Sequence, residues 1–302
     1  TSPFPMRHTY QSPAKINWFL HITGRRADGY HSLETVFQRI DWCDEIHITP
    51  NRDGRIYLSD SASISVSDNL IYRAALALKA HLQQRAPNSE QAERVAQLGA
   101  DIELKKNIPM GAGLGGGSSD AATTLIALND LWQAHLDNVT LQNIGLTLGA
   151  DVPFFISPHS AAFARGVGEE LTPMALAPRE LLLVKPNVHA DTRLVYQHPL
   201  LVRDHAPLET GIHDLERQLQ RLDAHAPFSN DMQSAAFIIA PEIEAVYKTL
   251  QAVAPQAYVC MSGSGATVFA CPNTADERAA LAQWQTTDCP SHWLSRWCKT
   301  LG

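Results

Sequence analysis

The chain has 302 residues, 45% of them hydrophobic, and a formal net charge of −7. This length allows two domains with separate cores, and an acidic balance without a dense Lys/Arg run argues against a nucleic-acid or anionic membrane surface. The five cysteines include no Cys-x-x-Cys pair, which favours a reducing cytoplasm over a disulfide framework or zinc site. No segment approaches the ~20 uninterrupted apolar residues of a membrane helix. Because the charge pattern argues against nucleic acid and anionic membranes, any phosphate that the protein binds is expected to belong to a small molecule. No obligate protein partner is evident from the sequence.

The N-terminal part has an antiparallel pattern. Residues 14–22 alternate, which predicts a strand with Lys15 and Asn17 on its polar face. A solvated lysine and a functional lysine both remain open. An Asp-Gly turn follows, and the returning strand starts with Tyr30 and His31. The predicted strands of this part cover residues 14–22, 30–37, 45–49, 55–58 and 101–106.

Helices dominate the middle of the chain. A helix capped by Ser67 or Asp68 is predicted to end near Pro87, and residues 86–99 are predicted to be a polar surface segment. Thr140 is predicted to cap a short helix. Further helices are predicted over 121–132, 141–148, 212–222, 241–250 and 274–284, and further strands over 161–165, 181–186, 258–269 and 292–297.

Two short segments have a more ambiguous pattern. Gly149 is expected to take a left-handed conformation at a helix end, and residues 151–155 are expected to form an apolar strand that begins with Asp151. The aspartate either braces the turn or, paired with a cation such as Lys15, serves a site. Residues 262–266, Ser-Gly-Ser-Gly-Ala, form either a simple hairpin turn or a second ligand-facing loop.

The most informative stretch is the glycine loop, residues 109–119, between a predicted strand and a predicted helix. Its glycines leave backbone N–H groups bare, and the first turn of the helix offers unpaired donors, which favours phosphate binding. A Walker A loop is excluded because Gly117 is followed by Ser118 and Ser119 rather than lysine. A dinucleotide fingerprint is disfavoured, since the loop follows antiparallel strands and lacks the acidic residue at a second strand end.

Several motifs together resemble the GHMP small-molecule kinases, named for galactokinase, homoserine kinase, mevalonate kinase and phosphomevalonate kinase. The glycine loop is the first of them, and the others extend the resemblance from residue 12 to residue 266. They are Ser12-Pro-Ala-Lys-Ile-Asn17, Arg26-Ala-Asp-Gly-Tyr-His31, Asp68-Asn-Leu70, Gly149-Ala-Asp-Val-Pro153 and Ser262-Gly-Ser-Gly-Ala266. They narrow the resemblance to the branch whose substrate joins cytidine diphosphate to methylerythritol.

The resemblance implies a two-domain α/β (α+β) kinase with mixed and antiparallel sheets flanked by helices. Its active site would lie in the cleft between an N-terminal domain, residues 6–157, and a C-terminal, substrate-side domain, residues 158–302. The implied reaction moves the γ-phosphoryl group of ATP to the 2-hydroxyl of methylerythritol, in the non-mevalonate (MEP) route to isoprenoid precursors.

The resemblance also implies roles for individual residues. Asp151 takes or orients the hydroxyl proton, and Lys15 keeps that carboxylate charged and stabilises the transferring phosphoryl group. Asn17 lies beside the reacting hydroxyl, and Tyr30, His31 and Tyr196 contact the cytidine. Implied ATP contacts are Pro109, Met110, Gly111, Ala112, Gly113, Leu114, Gly115, Gly116, Gly117, Ser118, Ser119, Asn69 and Lys106. Mg²⁺ is expected with ATP, and no pattern in the sequence fixes its ligands.

Two alternatives remain open beside this hypothesis. One is another GHMP-type kinase, for mevalonate or homoserine, and it is disfavoured because Tyr30-His31 suits a cytosine that those substrates lack. The other is a non-catalytic nucleotide-binding protein on the same fold, which the presence of both Lys15 and Asp151 disfavours.

Overall fold

The computed structural model describes residues 5–60 and 65–302. Groups of strands and groups of helices follow one another along these residues, with one short 3₁₀ turn at Val66–Asp68. The strands are β1 (His8–Arg25), β2 (His31–Asn51), β3 (Ile56–Asp60), β4 (Gly99–Lys105), β5 (Ala161–Arg165), β6 (Glu170–Pro173), β7 (Glu180–Lys185), β8 (Tyr258–Met261), β9 (Val268–Cys271) and β10 (Leu294–Lys299). The helices are α1 (Leu70–Gln84), α2 (Ser89–Ala96), α3 (Gly116–Leu131), α4 (Asn138–Leu146), α5 (Val152–Ile156), α6 (Thr192–Gln197), α7 (Ile212–Gln220), α8 (Gln233–Ile239), α9 (Pro241–Val253) and α10 (Ala275–Thr287). The predicted mixed α/β class is confirmed.

The chain divides into two compact units, each made of separate segments. Of the described residues, unit 1 contains 5–14, 42–60, 65–109 and 115–158, and unit 2 contains 15–41, 110–114 and 159–302. Strands β1 and β2, which pair with each other, have residues in both units. The predicted contiguous domains, 6–157 and 158–302, stay a prediction.

Unit 1 combines one end of a sheet with a group of packed helices. Strand β4 pairs in parallel with β3 and antiparallel with residues 45–51 of β2. Because side chains alternate along a strand, Ile102 and Leu104 of β4 are buried while Asp101 and Glu103 are exposed. Helices α1, α3, α4 and α5 pack against one another.

Unit 2 contains an antiparallel four-stranded sheet in the order β10-β7-β9-β8. Its buried side chains share one core with α8, α9 and α10, to which Leu182, Val246 and Leu281 contribute. In the same unit, residues 35–38 of β2 pair with β5, and β5 pairs with β6.

The segment after Gly149 forms a helix, so its prediction as a strand was wrong. Residues 152–156 form α5, with Pro153 in its first turn, where proline's fixed φ suits a helix start. A run of five apolar residues does not distinguish a buried strand from a buried helix. Gly149 also lacks the predicted positive φ.

Other helix boundaries correct the sequence predictions as well. The segment predicted to be a polar surface stretch contains α2, which buries none of its residues and therefore has no apolar stripe to detect. Its Asn88 cap was the available signal. Asn69 caps α1 in place of Ser67 or Asp68, and Asp137 caps α4 in place of Thr140. Helix α3 begins at Gly116 rather than at residue 121, so the glycine loop itself supplies its first turn.

Candidate active site

Lys15 is a buried cation in strand β1. Its residue is only 2% exposed, which excludes the solvated lysine that the sequence left open. The ammonium Nζ donates hydrogen bonds to Asn17 Oδ1 at 2.5 Å and to the Gly113 carbonyl at 3.1 Å, and it lies 5.5 Å from the Phe37 ring centroid. A buried charge needs such partners. Lys15 is therefore held in one place beside the glycine loop.

Asn17 connects this lysine to its surroundings. The Asn17 amide Nδ2 donates to Thr35 Oγ1 at 2.9 Å, which leaves Oδ1 to accept from Lys15. Thr35 Oγ1 in turn donates to the Phe19 carbonyl. This chain of bonds fixes the orientation of the Asn17 amide, so its oxygen faces the ammonium group.

The first half of the glycine loop, Met110–Leu114, is tied to the same strand. The Lys15 N–H donates to the Leu114 carbonyl at 2.9 Å. The Ser262 hydroxyl accepts from the Asn17 N–H at 3.2 Å and donates to the Gly113 carbonyl at 2.8 Å. The Ser-Gly-Ser-Gly turn is thus more than a hairpin turn, because its serine joins strand β1 to the loop.

The second half of the loop, Gly115–Ser119, starts helix α3 in unit 1. Gly115 is the N-cap residue with φ +67°, it makes no side-chain cap, and the first turn contains no acidic residue. The N–H groups of that turn therefore have no side-chain cap and lie at the positive end of the helix dipole. Ser119 is buried, with its hydroxyl 2.8 Å from that of Ser12.

Lys106 lies behind this helix start in a buried ion cluster. Its Nζ contacts Asp44 at 2.6 Å and Asp120 at 3.1 Å. Burial raises the pKa of Asp120 well above its usual value despite the attraction of Lys106, and the neighbouring Asp44 adds to the rise. Burial alone would lower the pKa of Lys106, but the two carboxyl groups outweigh it and raise that pKa. Lys106 braces the first turn of α3, since a Cβ on Gly116 would lie 2.9 Å from Nζ. Its contact with ATP stays a prediction.

Asn69 has a similar local role at the start of helix α1. Its Oδ1 accepts from the Ile71 N–H at 2.9 Å, and its Nδ2 donates to Asp60 Oδ2 at 2.6 Å. The residue is buried. These bonds explain its position by the fold alone, so its role in ATP binding also stays a prediction.

Asp151 is half-buried at the N-cap position of helix α5, and its side chain does not cap that helix. Asp151 follows Gly149 and Ala150 directly, and the helix packs against α3 and α4. Asp151 belongs to unit 1 and Lys15 to unit 2. The pairing of the two residues stays a prediction.

The three predicted cytidine contacts lie in unit 2, where His31 and Tyr196 meet. Their rings stack with centroids 4.7 Å apart and an angle of 24° between the planes, whereas Tyr30 is 65% exposed. Burial lowers the pKa of His31, and the nearby Arg203 and Arg25 lower it further. These effects favour the neutral form of the His31 ring.

Two family models match the chain. The model of the GHMP kinase N-terminal domain matches residues 69–158, and that of the GHMP kinase C-terminal domain matches residues 204–288. Together they match more than half of the chain. The chain belongs to the GHMP kinase family. As a GHMP kinase, it is a phosphotransferase that uses ATP as co-substrate.

Relatives of this GHMP kinase are similar along most of their length. The 4-diphosphocytidyl-2-C-methyl-D-erythritol kinase of Paraburkholderia phytofirmans is 45% identical, over 94% of this chain and 90% of the relative. The kinase of the same name from Methylibium petroleiphilum is 42% identical, over 96% and 93%. A crystal structure of 4-(cytidine 5′-diphospho)-2C-methyl-D-erythritol kinase superposes with a TM-score of 0.75 at 32% identity, and covers 98% of this chain and 100% of that one.

The structure adds residues to the candidate site of this GHMP kinase that the sequence did not single out. Thr35 orients Asn17, and Asn230 Nδ2 donates to the Met261 and Gly263 carbonyls at 2.8 and 2.7 Å, which holds the turn that carries Ser262. The repeated Ser-Gly pattern of that turn was the only available signal. Thr35 and Asn230 act through contacts distant in sequence, which a local pattern does not contain.

A second polar cluster of unit 2 surrounds His21. This histidine is fully buried, and neither ring nitrogen has a hydrogen-bond partner among the described residues. Its ring stacks on His205 with centroids 3.6 Å apart, and His205 Nδ1 lies 3.0 Å from Asp231 Oδ2. Burial, followed by the neighbouring His205, lowers the pKa of His21 from 6.5 to about 4.

Replacing His21 with phenylalanine is expected to stabilise the protein, because unsatisfied buried polar atoms typically cost ~1–3 kcal/mol. The gain should increase as the pH falls. The folded-state pKa lies below that of the unfolded state, so the unfolded state binds more protons between pH 6.5 and about 4, and the wild type loses stability on acidification. Urea unfolding at pH 7 and pH 5 measures this difference. The control is His225→Phe, at an exposed position. A His21→Phe variant that loses as much stability as the wild type between pH 7 and pH 5 would contradict the expectation.

Proposed function

We propose that this GHMP kinase transfers the γ-phosphoryl group of ATP to the 2-hydroxyl of 4-diphosphocytidyl-2-C-methyl-D-erythritol, a step of the non-mevalonate route to isoprenoid precursors. Two relatives with that activity in their names, 45% and 42% identical over nearly the whole chain, support the choice of substrate. The observation that carries the chemistry is the buried Lys15 ammonium, bonded to the carbonyl of a glycine-loop residue.

In the proposed step, Asp151 accepts the proton of the 2-hydroxyl. The hydroxyl oxygen forms a bond to the γ-phosphorus, the bond to the bridging oxygen of the β-phosphate breaks, and ADP leaves. Phosphoryl transfer depends mainly on positioning and charge stabilisation. Lys15 supplies the positive charge, and the fixed amide of Asn17 positions that charge and the reacting hydroxyl.

The glycine loop, residues 109–119, is proposed to bind the phosphates of ATP. The uncapped first turn of α3 offers backbone N–H donors and the positive end of a helix dipole. Gly117 supports this assignment because the fold does not require glycine there. Its added Cβ would meet only Leu70 Cδ1, at an ordinary 3.4 Å, so the bare backbone leaves room for a ligand. Asn69 and Lys106 are proposed to lie near the adenosine.

Mg²⁺ is proposed to accompany ATP, where it supplies charge neutralisation for the phosphate oxygens. Across the described ranges, no three His, Cys, Asp or Glu side chains converge as metal ligands. The residues present therefore fit an ion held chiefly by the phosphates of ATP. The proposed role of Asp151 requires no protein-bound metal.

The cytidine end of the substrate is proposed to lie against Tyr30, His31 and Tyr196. The ring of Tyr196, on which His31 stacks, offers one aromatic plane, the exposed ring of Tyr30 offers a second, and the edge of the His31 ring reads the base. We further propose a cytoplasmic enzyme that needs no nucleic-acid, membrane or protein partner. No helix in residues 5–60 or 65–302 is long and apolar enough to cross a bilayer.

The proposal is tested by ADP release from the purified protein with three acceptors. We expect rapid turnover with 4-diphosphocytidyl-2-C-methyl-D-erythritol, and phosphorus NMR should place the new phosphate on the 2-hydroxyl. Turnover with mevalonate or homoserine should be slower by several orders of magnitude. Preferential turnover of either competitor would support another GHMP kinase activity instead. Binding of ATP without turnover of any acceptor would support a nucleotide-binding protein.

A further inference from the structure

Arg203, in the segment between α6 and α7, contacts the ring of His31. Arg203 Nε donates a hydrogen bond to His31 Nε2 at 3.1 Å. The same guanidinium also holds the end of α6, since Nη2 donates to the carbonyls of Tyr196 at 2.7 Å and His198 at 3.1 Å. Arg203 is thus bonded both to His31 and to the residue whose ring stacks on His31.

The backbone around Arg203 is itself fixed. The His205 N–H donates to the Ile22 carbonyl at 3.0 Å, and the Leu208 N–H donates to the buried Glu34 carboxylate at 2.7 Å. These bonds tie the segment to strands β1 and β2 on the C-terminal side of Arg203. The guanidinium is therefore presented to His31 by an anchored segment.

This contact determines the tautomer of His31. A guanidinium group can only donate hydrogen bonds, so His31 Nε2 must accept, and the proton of the neutral ring must lie on Nδ1. Within the described residues, the side-chain hydrogen bond of the His31 ring is the one from Arg203, and it uses Nε2 rather than Nδ1. The nitrogen available to a ligand is therefore a donor.

We infer that Arg203 is a positioning residue that makes His31 select cytosine over uracil. The inference rests on the proposed cytidine substrate. The Watson–Crick edge of cytosine offers two acceptors, N3 and O2, whereas uracil carries hydrogen on N3. A ring fixed as a donor at Nδ1 matches the cytosine N3 and opposes the uracil N3–H. Without Arg203, the ring can move its proton to Nε2 and accept from uracil.

Binding of CDP and UDP, measured by calorimetry, tests the selectivity without any need for turnover. We expect the wild type to prefer CDP, and Arg203→Met to reduce the CDP-over-UDP preference by about 10-fold or more, since the hydrogen-bond donor that faces the base edge is then no longer fixed. The matched control is Arg193→Met, which removes an exposed arginine of α6 and should leave the preference unchanged.

Two further measurements separate positioning from a merely structural role. Nitrogen NMR of the histidine rings should show His31 protonated at Nδ1 in the wild type and as a tautomer mixture in Arg203→Met. In a His31→Phe background, Arg203→Met should no longer change the CDP-over-UDP preference, because the effect acts through His31.

An unchanged tautomer, or equal weakening of CDP and UDP binding, would overturn the inference. If CDP selectivity depends on Arg203 but the protein does not phosphorylate the proposed substrate, the proposed reaction is overturned and this inference stays intact. A wild type that binds CDP no better than UDP would overturn the inference even if turnover is observed.

Discussion

Asp151→Asn is expected to lower kcat by about 10²–10⁴-fold, the usual contribution of a positioned base, while the fold and ATP binding are retained. Asparagine has nearly the same shape but cannot accept the hydroxyl proton. The side chain makes no cap to helix α5, so the replacement removes no helix-capping bond. Steady-state kinetics and ATP calorimetry measure the two effects. Unchanged turnover would refute the role of Asp151 as the base.

Lys15→Met is expected to reduce kcat to a similar extent. Methionine fills the space of the buried side chain but supplies neither the charge nor the hydrogen bonds to Asn17 and Gly113. Lys105→Met, a change of the same kind at an exposed position, is the control and should have full activity. A Lys15→Met enzyme with normal kcat would exclude Lys15 from phosphoryl transfer.

Gly113→Ala is expected to destabilise the protein by roughly 3 kcal/mol or more and to abolish turnover. Gly113 has φ +75°, which costs an L-residue ~1–2 kcal/mol, and its new Cβ would lie 2.1 Å from the Ser262 carbonyl oxygen. The turn at residue 262 and the loop would have to separate. Chemical denaturation measures the loss, and a variant as stable as the wild type would contradict the close packing of the two turns.

Gly117→Ala is the matched variant in the same loop, with the opposite expectation for stability. Its Cβ fits the fold, and alanine favours helix α3, so the unfolding free energy should be equal or higher. If the phosphates of ATP lie on this turn, the methyl group should weaken ATP binding by about 10-fold or more. Unaltered ATP affinity would place the phosphates elsewhere.

The sequence predicted most of the elements whose signal is local. Alternation at residues 14–22 located β1, and the capping box of Thr274 and Glu277 located α10. The boundaries failed where the local signal is ambiguous, as in the apolar run after Asp151, or absent, as in the wholly polar helix α2. The glycine loop was identified as a helix start, but α3 begins at Gly116, next to Lys106, rather than at residue 121.

The site was predictable in its residue types but less so in their interactions. Lys15 and Asn17 were placed on one strand face, and the structure adds that this face is buried and bonded to the loop. Arg203 lies 172 positions from His31, and nothing local in the sequence connects them. Lys106 and Asn69 carry a polar group that either the fold or a ligand could use, and only their contacts show how the fold uses them.

The proposed joint action of Lys15 and Asp151 on the reacting hydroxyl is tested most directly by a double-mutant cycle. Single-turnover phosphoryl transfer is measured in Lys15→Met, Asp151→Asn and the double variant. When two residues act as one unit, the effects of replacing them on the rate are strongly non-additive. The double variant is therefore predicted to be about as slow as the slower single variant. Rate losses that multiply would show that the two residues act independently and would contradict the proposed catalytic pair.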